Sequence, residues 1–298
     1  MDLSLVQMIA SALIALFVGL LTGIFGVGGG FLMTPALIIL VGISGPIAIG
    51  TSLVNFLANS TLGIFKRFGS GTISPIIAII VGIGSMIGVA GGSWLLETLN
   101  KLPPITIAGR EQSLLEMVLM CVFLVLLSGI AIFMSWDLRQ ARTATGDPEH
   151  QTGLLGRLRI PPYGHFKVLD VPRVSVPGMI LLGIFAGVLT GLLGIGGGVI
   201  MLPALIYLVG MRTQKAAGTS LLLVWIASLT GAISNLFIGN VHWILLAILV
   251  VCGMLGTWLG THVALKISGT HTKQYFIYVL LLAILLVGGR IVAMLLFV

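Results

Sequence analysis

The sequence predicts an all-α polytopic membrane protein. Three observations predict this fold class: the hydropathy of the chain, the length of its apolar runs and an internal repeat. Of the 298 residues, 58% are hydrophobic and 8% are charged, and the mean hydropathy is +1.19. A soluble domain carries about 25% charged residues, so the composition excludes a water-soluble protein.

The apolar runs are long enough to cross a bilayer as helices. A spanning helix needs roughly 20 apolar residues, and the chain has room for about eight to ten such segments. Inside hydrocarbon every backbone N–H and C=O group must be bonded, which leaves helices or a closed barrel. Runs such as 118–134 and 275–289 lack the alternation of barrel strands, so helices are favoured.

An internal repeat divides the chain into two halves. Segment 19–37 reads GLLTGIFGVGGGFLMTPAL and segment 187–205 reads GVLTGLLGIGGGVIMLPAL, with twelve of nineteen positions identical at an offset of 168. The same offset pairs the Gly-Thr-Ser tripeptide at 50–52 with that at 218–220, and Gly92 with Gly260. A register held over this distance indicates a duplicated structural unit.

Each half is predicted to contain five helical pieces. In the first half these are 3–25, 31–43, 46–66, 74–97 and 113–135; in the second they are 176–193, 199–210, 217–238, 241–265 and 275–297. We therefore divide the chain into an N-terminal transmembrane repeat (1–135), a linker (136–175) and a C-terminal transmembrane repeat (176–298). The linker is polar, and its Pro161-Pro162 pair disfavours a long helix.

The charges predict that the two halves are inverted relative to each other. If the linker is cytoplasmic, its six Lys and Arg residues lie inside, together with Lys66, Arg67, Arg212, Lys215, Lys266 and Lys273, whereas Lys101 and Arg110 lie outside. This is the expected positive-inside bias. The count works only if each glycine-broken first segment is re-entrant. Both termini then lie outside, and the architecture is that of secondary transporters. The N-terminus has no basic n-region and carries Asp2, so we expect the first segment to be retained.

The glycine-rich breaks are the candidate binding site. Exposed N–H groups at the start of a half-helix favour an anion, through the helix dipole and the backbone nest. Two inverted breaks would face one another near the middle of the membrane. The candidate glycines are Gly28, Gly29, Gly30, Gly196, Gly197 and Gly198. The alternative interpretation is that these glycines only allow close helix packing.

Polar side chains near the breaks are further candidates for contact with an anion. They are Thr22, Thr190, Thr51, Ser52, Asn55, Asn59, Thr219 and Ser220. The alternative for the hydroxyls is helix capping or bonding to the carbonyl four residues earlier. The alternative for the two asparagines is to join helices rather than to line a path.

Other function classes find little support in the sequence. No carboxylate lies deep in a predicted helix, no GxSxG elbow occurs, and the five histidines and two cysteines lack metal-ligand spacing. We therefore expect no enzyme, no metal and no cofactor. The net charge of +7 comes from basic residues in the loops between apolar segments, a pattern that indicates membrane topology rather than nucleic-acid binding. The expected partners are a lipid bilayer and a small anion.

The doubled motif resembles that of a known family. TGxxGxGGGxxxxPxL occurs twice, each time followed by a Gly-Thr-Ser tripeptide, and this pattern resembles the TauE/SafE sulfite exporter family of membrane permeases. Segment 161–166 also resembles bacterial members. The resemblance spans nearly the whole chain. Carried over by position, the motif glycines are Gly23, Gly26, Gly28, Gly29, Gly30, Gly191, Gly194, Gly196, Gly197 and Gly198.

The resemblance implies a transporter of small sulfur-containing anions in a bacterial cytoplasmic membrane. Sulfite, thiosulfate and organosulfonates are the implied substrates, and export is the implied direction. An alternative is an anion channel or facilitator for a different small organic anion.

Overall fold

The computed structural model describes residues 3–69, 71–103, 105–107, 110–112, 114–143, 163–164, 174–264 and 269–296. The helices of the first half are α1 (Leu5–Phe25), α2 (Gly30–Ala36), α3 (Gly45–Arg67), α4 (Pro75–Asn100) and α5 (Leu114–Thr143). Those of the second half are α6 (Val176–Leu193), α7 (Gly198–Ala204), α8 (Thr213–Ile238), α9 (Trp243–Ala264) and α10 (Gly269–Leu296). Two short antiparallel strand pairs, β1 (Ile105–Ile107) with β2 (Arg110–Gln112) and β3 (Tyr163–Gly164) with β4 (Val174–Ser175), complete the described elements.

The predicted polytopic helical fold is confirmed. Within the described ranges, eight helices are long and apolar enough to cross a membrane: α1, α3, α4, α5, α6, α8, α9 and α10. The two remaining helices, α2 and α7, are each continued by a π-helical turn, Leu37–Val41 and Leu205–Val209. We call the resulting pieces, Gly30–Val41 and Gly198–Val209, the first and second return legs.

The helix bounds differ from the predicted ones mainly beside the polar segments. Helix α5 was expected to end at 135 and ends at Thr143, and α10 begins at Gly269 rather than 275. The residues after 137 read LRQAR, which are good helix formers. Hydropathy marks where a helix leaves hydrocarbon, and the helix itself continues further. Residues 144–162 and 165–173, with Pro161-Pro162, lie outside the described residues.

The first long helix of each half ends at a left-handed glycine. Gly26 has φ 70° and donates its N–H to Thr22 O, and Gly194 has φ 66° and donates to Thr190 O. Two more glycines with positive φ follow in each half, at 28 and 29 and at 196 and 197. An L side chain in this region costs about 1–2 kcal/mol per residue. The glycines therefore allow the abrupt change of direction at 26–29 and 194–197, which we call break 1 and break 2.

After break 1 the chain returns along the helix that it has just left. Gln7 Nε2 donates to Val41 O at 2.9 Å, so the end of the first return leg lies beside the first turns of α1. Helix α1 itself begins with a capping box, in which Ser4 and Gln7 bond each other's backbone N–H. The side of the membrane on which the leg ends stays a prediction.

Two helix pairs join the halves through closely packed glycines. A Cβ on Gly19 or Gly23 of α1 would collide with the backbone of α9 at Gly253 and Thr257, respectively. Helices α4 and α6 approach each other in the same way, at Gly84, Gly88, Gly92, Gly183, Gly187 and Gly191. The residue numbers rise together along both members, so each pair is parallel. Small residues let membrane helices approach this closely.

Helices that correspond in the repeat run antiparallel to each other. Helix α3 packs on α8, where Trp225 Nε1 donates to Thr61 Oγ1 at 2.9 Å. Further along the same pair, Gly231 lies against the Leu53 side chain. Numbers rise along α3 while they fall along α8, although the two helices occupy the same place in the repeat.

Helices α5 and α10, the last of each half, show the same antiparallel relation. Lys273 Nζ lies 3.7 Å from Asp137 Oδ2, and Gly288 faces Leu124. Antiparallel contacts between corresponding helices are what an inverted repeat produces, so they support that prediction.

Candidate anion site at the two glycine breaks

The two glycine breaks lie in direct contact. Gly30 packs on the backbone of Ile195, and Gly198 packs on the backbone of Val27. A Cβ on either glycine would lie 2.6 Å from the Cα of its partner residue. The structure therefore brings together the two segments, 28–30 and 196–198, in which the sequence predicts a site.

Each return leg begins at this contact with uncapped backbone donors. Gly29 (φ 67°) and Gly197 (φ 75°) are the N-cap residues, and neither helix has a side-chain cap. The first N–H groups of a helix have no partner within it. Such groups, together with the positive end of the helix dipole, can bind an anion.

Apolar side chains close the space around the breaks. Val224 lies against both breaks, since its Cγ1 would be 2.7 Å from a Cβ on Gly28 and 3.4 Å from one on Gly196. The Phe56 ring lies beside Gly196, and both side chains are completely buried. Phe56 and Val224 correspond in the repeat. The breaks are thus enclosed on the side of α3 and α8.

Thr22 and Thr190 lie beside the breaks, but their hydroxyl groups donate to carbonyls of their own helices. Thr22 Oγ1 donates to Val18 O at 2.9 Å, and Thr190 Oγ1 donates to Ala186 O at 2.8 Å. A Cβ on Gly29 or Gly197 would nevertheless come within 2.9 Å of these oxygens. The two hydroxyls therefore border the site. Each also makes the bond to the carbonyl four residues earlier, which is the alternative interpretation of these threonines.

Thr51 and Thr219 join the halves at helix starts. Thr51 Oγ1 accepts from His242 N at 3.1 Å, just before α9. Thr219 Oγ1 accepts from Ser74 N at 3.0 Å, just before α4. The two bonds correspond in the repeat. Each hydroxyl binds the backbone N–H of the residue that precedes a helix of the other half.

Ser52 and Ser220 occupy corresponding positions with different partners. Ser220 Oγ donates to Gly26 O of break 1 and also lies 3.1 Å from Ala217 O. Ser52 Oγ is buried and has no hydrogen-bond partner among the described residues. At break 2 the carbonyl of Gly194 accepts from Thr34 Oγ1 at 3.1 Å instead.

Asn55 and Asn59 bind each other and face α9. Asn59 Nδ2 lies 3.3 Å from Asn55 Oδ1, and both side chains are completely buried. A Cβ on Gly253 would lie 2.7 Å from Asn59 Nδ2. The described contacts of the pair are therefore with α9, and none of them is with a break.

Two residues near the breaks were not singled out from the sequence. Ser228 Oγ is buried without a described partner, and a Cβ on Gly196 would lie 3.5 Å from it. Arg67 is 5% exposed and donates to Gly23 O and Ile24 O at the end of α1. The sequence predicts that Arg67 lies in a loop, because it stands beside Lys66 at the end of an apolar run. Only the three-dimensional structure shows that it turns inward.

A family model described as sulfite exporter TauE/SafE matches residues 10–287. The chain belongs to this family. It is therefore a multi-pass membrane protein of a transporter family, as the doubled motif indicates.

The relatives of this family member are described as transporters without a named substrate. A probable membrane transporter protein of Bacillus subtilis strain 168, YjnA, is 26% identical over 86% of this chain and 90% of the relative. A probable membrane transporter protein of Xylella fastidiosa strain 9a5c is 28% identical over 85% and 83%. YunE of Bacillus subtilis strain 168, described in the same words, is 28% identical over 38% of this chain and 40% of its own length. No solved structure matches the chain significantly.

Proposed function

We propose that this protein carries small sulfur-containing anions, such as sulfite, thiosulfate or organosulfonates, out of a bacterial cell. The contact between the two breaks is the observation that supports this most directly, because it joins the donor ends of two return legs inside the protein. The substrate class follows from the family description, sulfite exporter. The family is one of transporters, and the proposal includes no catalytic step.

The anion is proposed to bind the backbone N–H groups of Gly28–Gly30 and Gly196–Gly198. Thr22, Thr190 and Ser228 border this place, and Val224 lies against Gly28 and Gly196. The two breaks are in backbone contact with each other. This contact favours a carrier that must separate its halves to admit the anion, over a permanently open channel.

We further propose a cytoplasmic (inner) membrane location with both termini outside and the linker 136–175 inside. The antiparallel packing of α3 on α8 and of α5 on α10 supports inversion, and the positive-inside count selects the orientation. Single cysteines test it after Cys121 and Cys252 are replaced. A membrane-impermeant maleimide should label a cysteine at Ser4 in intact spheroplasts and one at Gly153 only after lysis.

Flux measurements test the substrate class. The purified protein should accelerate movement of labelled sulfite, thiosulfate or methanesulfonate in proteoliposomes, relative to protein-free vesicles. An absence of flux for every such anion, with folded protein present, contradicts the proposal. Saturable flux with counter-exchange would identify a carrier. Ohmic single-channel current would identify the channel or facilitator alternative.

A further inference from the structure

Arg67 places a buried positive charge on the last turn of α1, which leads into break 1. Its Nη2 atom lies 2.8 Å from Gly23 O and 3.2 Å from Ile24 O, in the last turn of α1. The residue is 5% exposed. Among the residues whose burial is described, it is the only charged one that is buried. Its neighbour Lys66 is exposed, with Nζ 5.5 Å from the centre of the Trp258 ring. Two adjacent cations therefore have opposite environments.

The position of this charge matters because α1 ends at the break. The C-terminus of a helix carries a partial negative charge on its unpaired carbonyls. An anion that enters break 1 would be repelled by these carbonyls. The guanidinium of Arg67 binds two of the carbonyls in the last turn of α1 and adds a full positive charge, which opposes their partial negative charge.

Among the residues whose burial is described, no charged residue is buried at break 2. The residue that corresponds to Arg67 in the repeat is Asn235, and its described side-chain bonds are not with α6. Asn235 Nδ2 donates to Gly231 O within its own helix, and Asn240 Nδ2 lies 3.4 Å from Asn235 Oδ1. The two breaks therefore share their backbone and differ in electrostatics.

Burial of a guanidinium between two helices costs desolvation free energy. Desolvation of a buried charge opposes folding, and uncharged residues often replace such groups without loss of stability. Ionisable residues inside membrane proteins mark the paths of substrates and ions. We propose that Arg67 makes break 1 the anion-holding half of the site and sets its preference for doubly charged over singly charged anions. This inference rests on the proposed function.

Transport kinetics of Arg67→Gln test the inference with anions of fixed charge, thiosulfate as the dianion and methanesulfonate as the monoanion. Loss of the cation should raise the KM for thiosulfate on the order of tenfold, because an attraction between opposite charges is lost. The KM for methanesulfonate should rise by a smaller factor, and the maximal rates should change little. Lys66→Gln, which removes an exposed charge one residue away, should leave both KM values near those of the wild type.

A second variant keeps the test decisive if Arg67→Gln does not accumulate in the membrane. In Arg67→His the charge can be switched within one folded protein, because histidine is the side chain that changes charge between about pH 5 and pH 8. The thiosulfate KM, relative to that of methanesulfonate, should rise with pH across this range in the variant and stay constant in the wild type.

The inference is overturned if folded Arg67→Gln keeps the wild-type KM ratio of the two anions, or if Arg67→His shows no pH dependence of that ratio. A guanidinium that only joins α1 to α3 would lower stability and maximal rate for both anions alike. A wild-type protein that transports neither anion contradicts the proposed function itself, which is a different outcome.

Discussion

Break 1 and break 2 have nearly the same sequence and backbone but different polar partners. Their positive-φ glycines have angles of 70°, 75° and 67° in one and 66°, 66° and 75° in the other. The carbonyl of Gly26 accepts from Ser220, whereas that of Gly194 accepts from Thr34. The repeat therefore determines the path of the chain, while single substitutions in neighbouring helices make the two breaks chemically distinct.

The largest effect is expected where the two breaks are equivalent. Gly30→Ala and Gly198→Ala each place a methyl group against the backbone of the opposite break. Overpacking costs about 1–3 kcal/mol, and backbone cannot move aside as a side chain can. Both variants should lose transport and melt at lower temperature in detergent, to a similar extent.

Gly129→Ala is the matched control for these two variants, because a Cβ there meets nothing within 4 Å. Wild-type flux in Gly30→Ala or Gly198→Ala would show that the packed breaks are not needed for transport.

A smaller effect should separate the two breaks at Gly29 and Gly197. Both have positive φ, so an alanine costs about 1–2 kcal/mol of backbone strain at either. A Cβ on Gly29 would also collide with the Val18 side chain and approach Val18 O at 2.9 Å, whereas one on Gly197 meets only Thr190 Oγ1. Gly29→Ala should therefore have the lower thermal midpoint. An equal loss in both variants would mean that the surroundings of break 1 relax freely.

The serines that correspond in the repeat should respond differently. Ser220→Ala removes the hydrogen bond to Gly26 O and should cost about 1 kcal/mol, the usual net value of one such bond. Ser52→Ala removes a hydroxyl without a described partner, so its free energy of unfolding should stay close to that of the wild type. Thermal midpoints of the two purified variants compare them directly. A larger loss for Ser52→Ala would reveal a bond to water or ligand.

The smallest difference is expected at Thr51 and Thr219. Thr51→Val and Thr219→Val remove corresponding bonds of 3.1 Å and 3.0 Å to the residues just before α9 and α4. Each should cost about 1 kcal/mol, the usual net value of one hydrogen bond. Because both threonines bond across the halves in the same way, the two losses should agree. Thermal midpoints that differ markedly would contradict this equivalence.

The fold could be predicted because its determinants are local or periodic. Hydropathy gives the long helices, and glycine runs give the ends of α1 and α6 within a residue or two. The pairing of segment 28–30 with segment 196–198 follows from the repeat combined with the charges.

The partners of individual side chains could not be predicted in the same way. Thr51 bonds a backbone group 191 residues further along the chain, and the bond of Thr219 spans 145 residues. The helical period places Asn55 and Asn59 on one face but does not say that Gly253 lies opposite. Arg67 was counted among the loop charges because composition cannot show the direction of a side chain.

The glycine-lined contact between α1 and α9 has a consequence for synthesis. The first residue of α9, Trp243, follows the end of α1 at Phe25 by 218 residues. A ribosome that adds about 5–20 residues per second needs roughly ten to forty seconds to cover this stretch. Helix α1 therefore lies in the bilayer with its glycine-lined surface uncovered until α9 has been made. The first helix of the other half does not wait in this way, because its partner α4 precedes it in the chain.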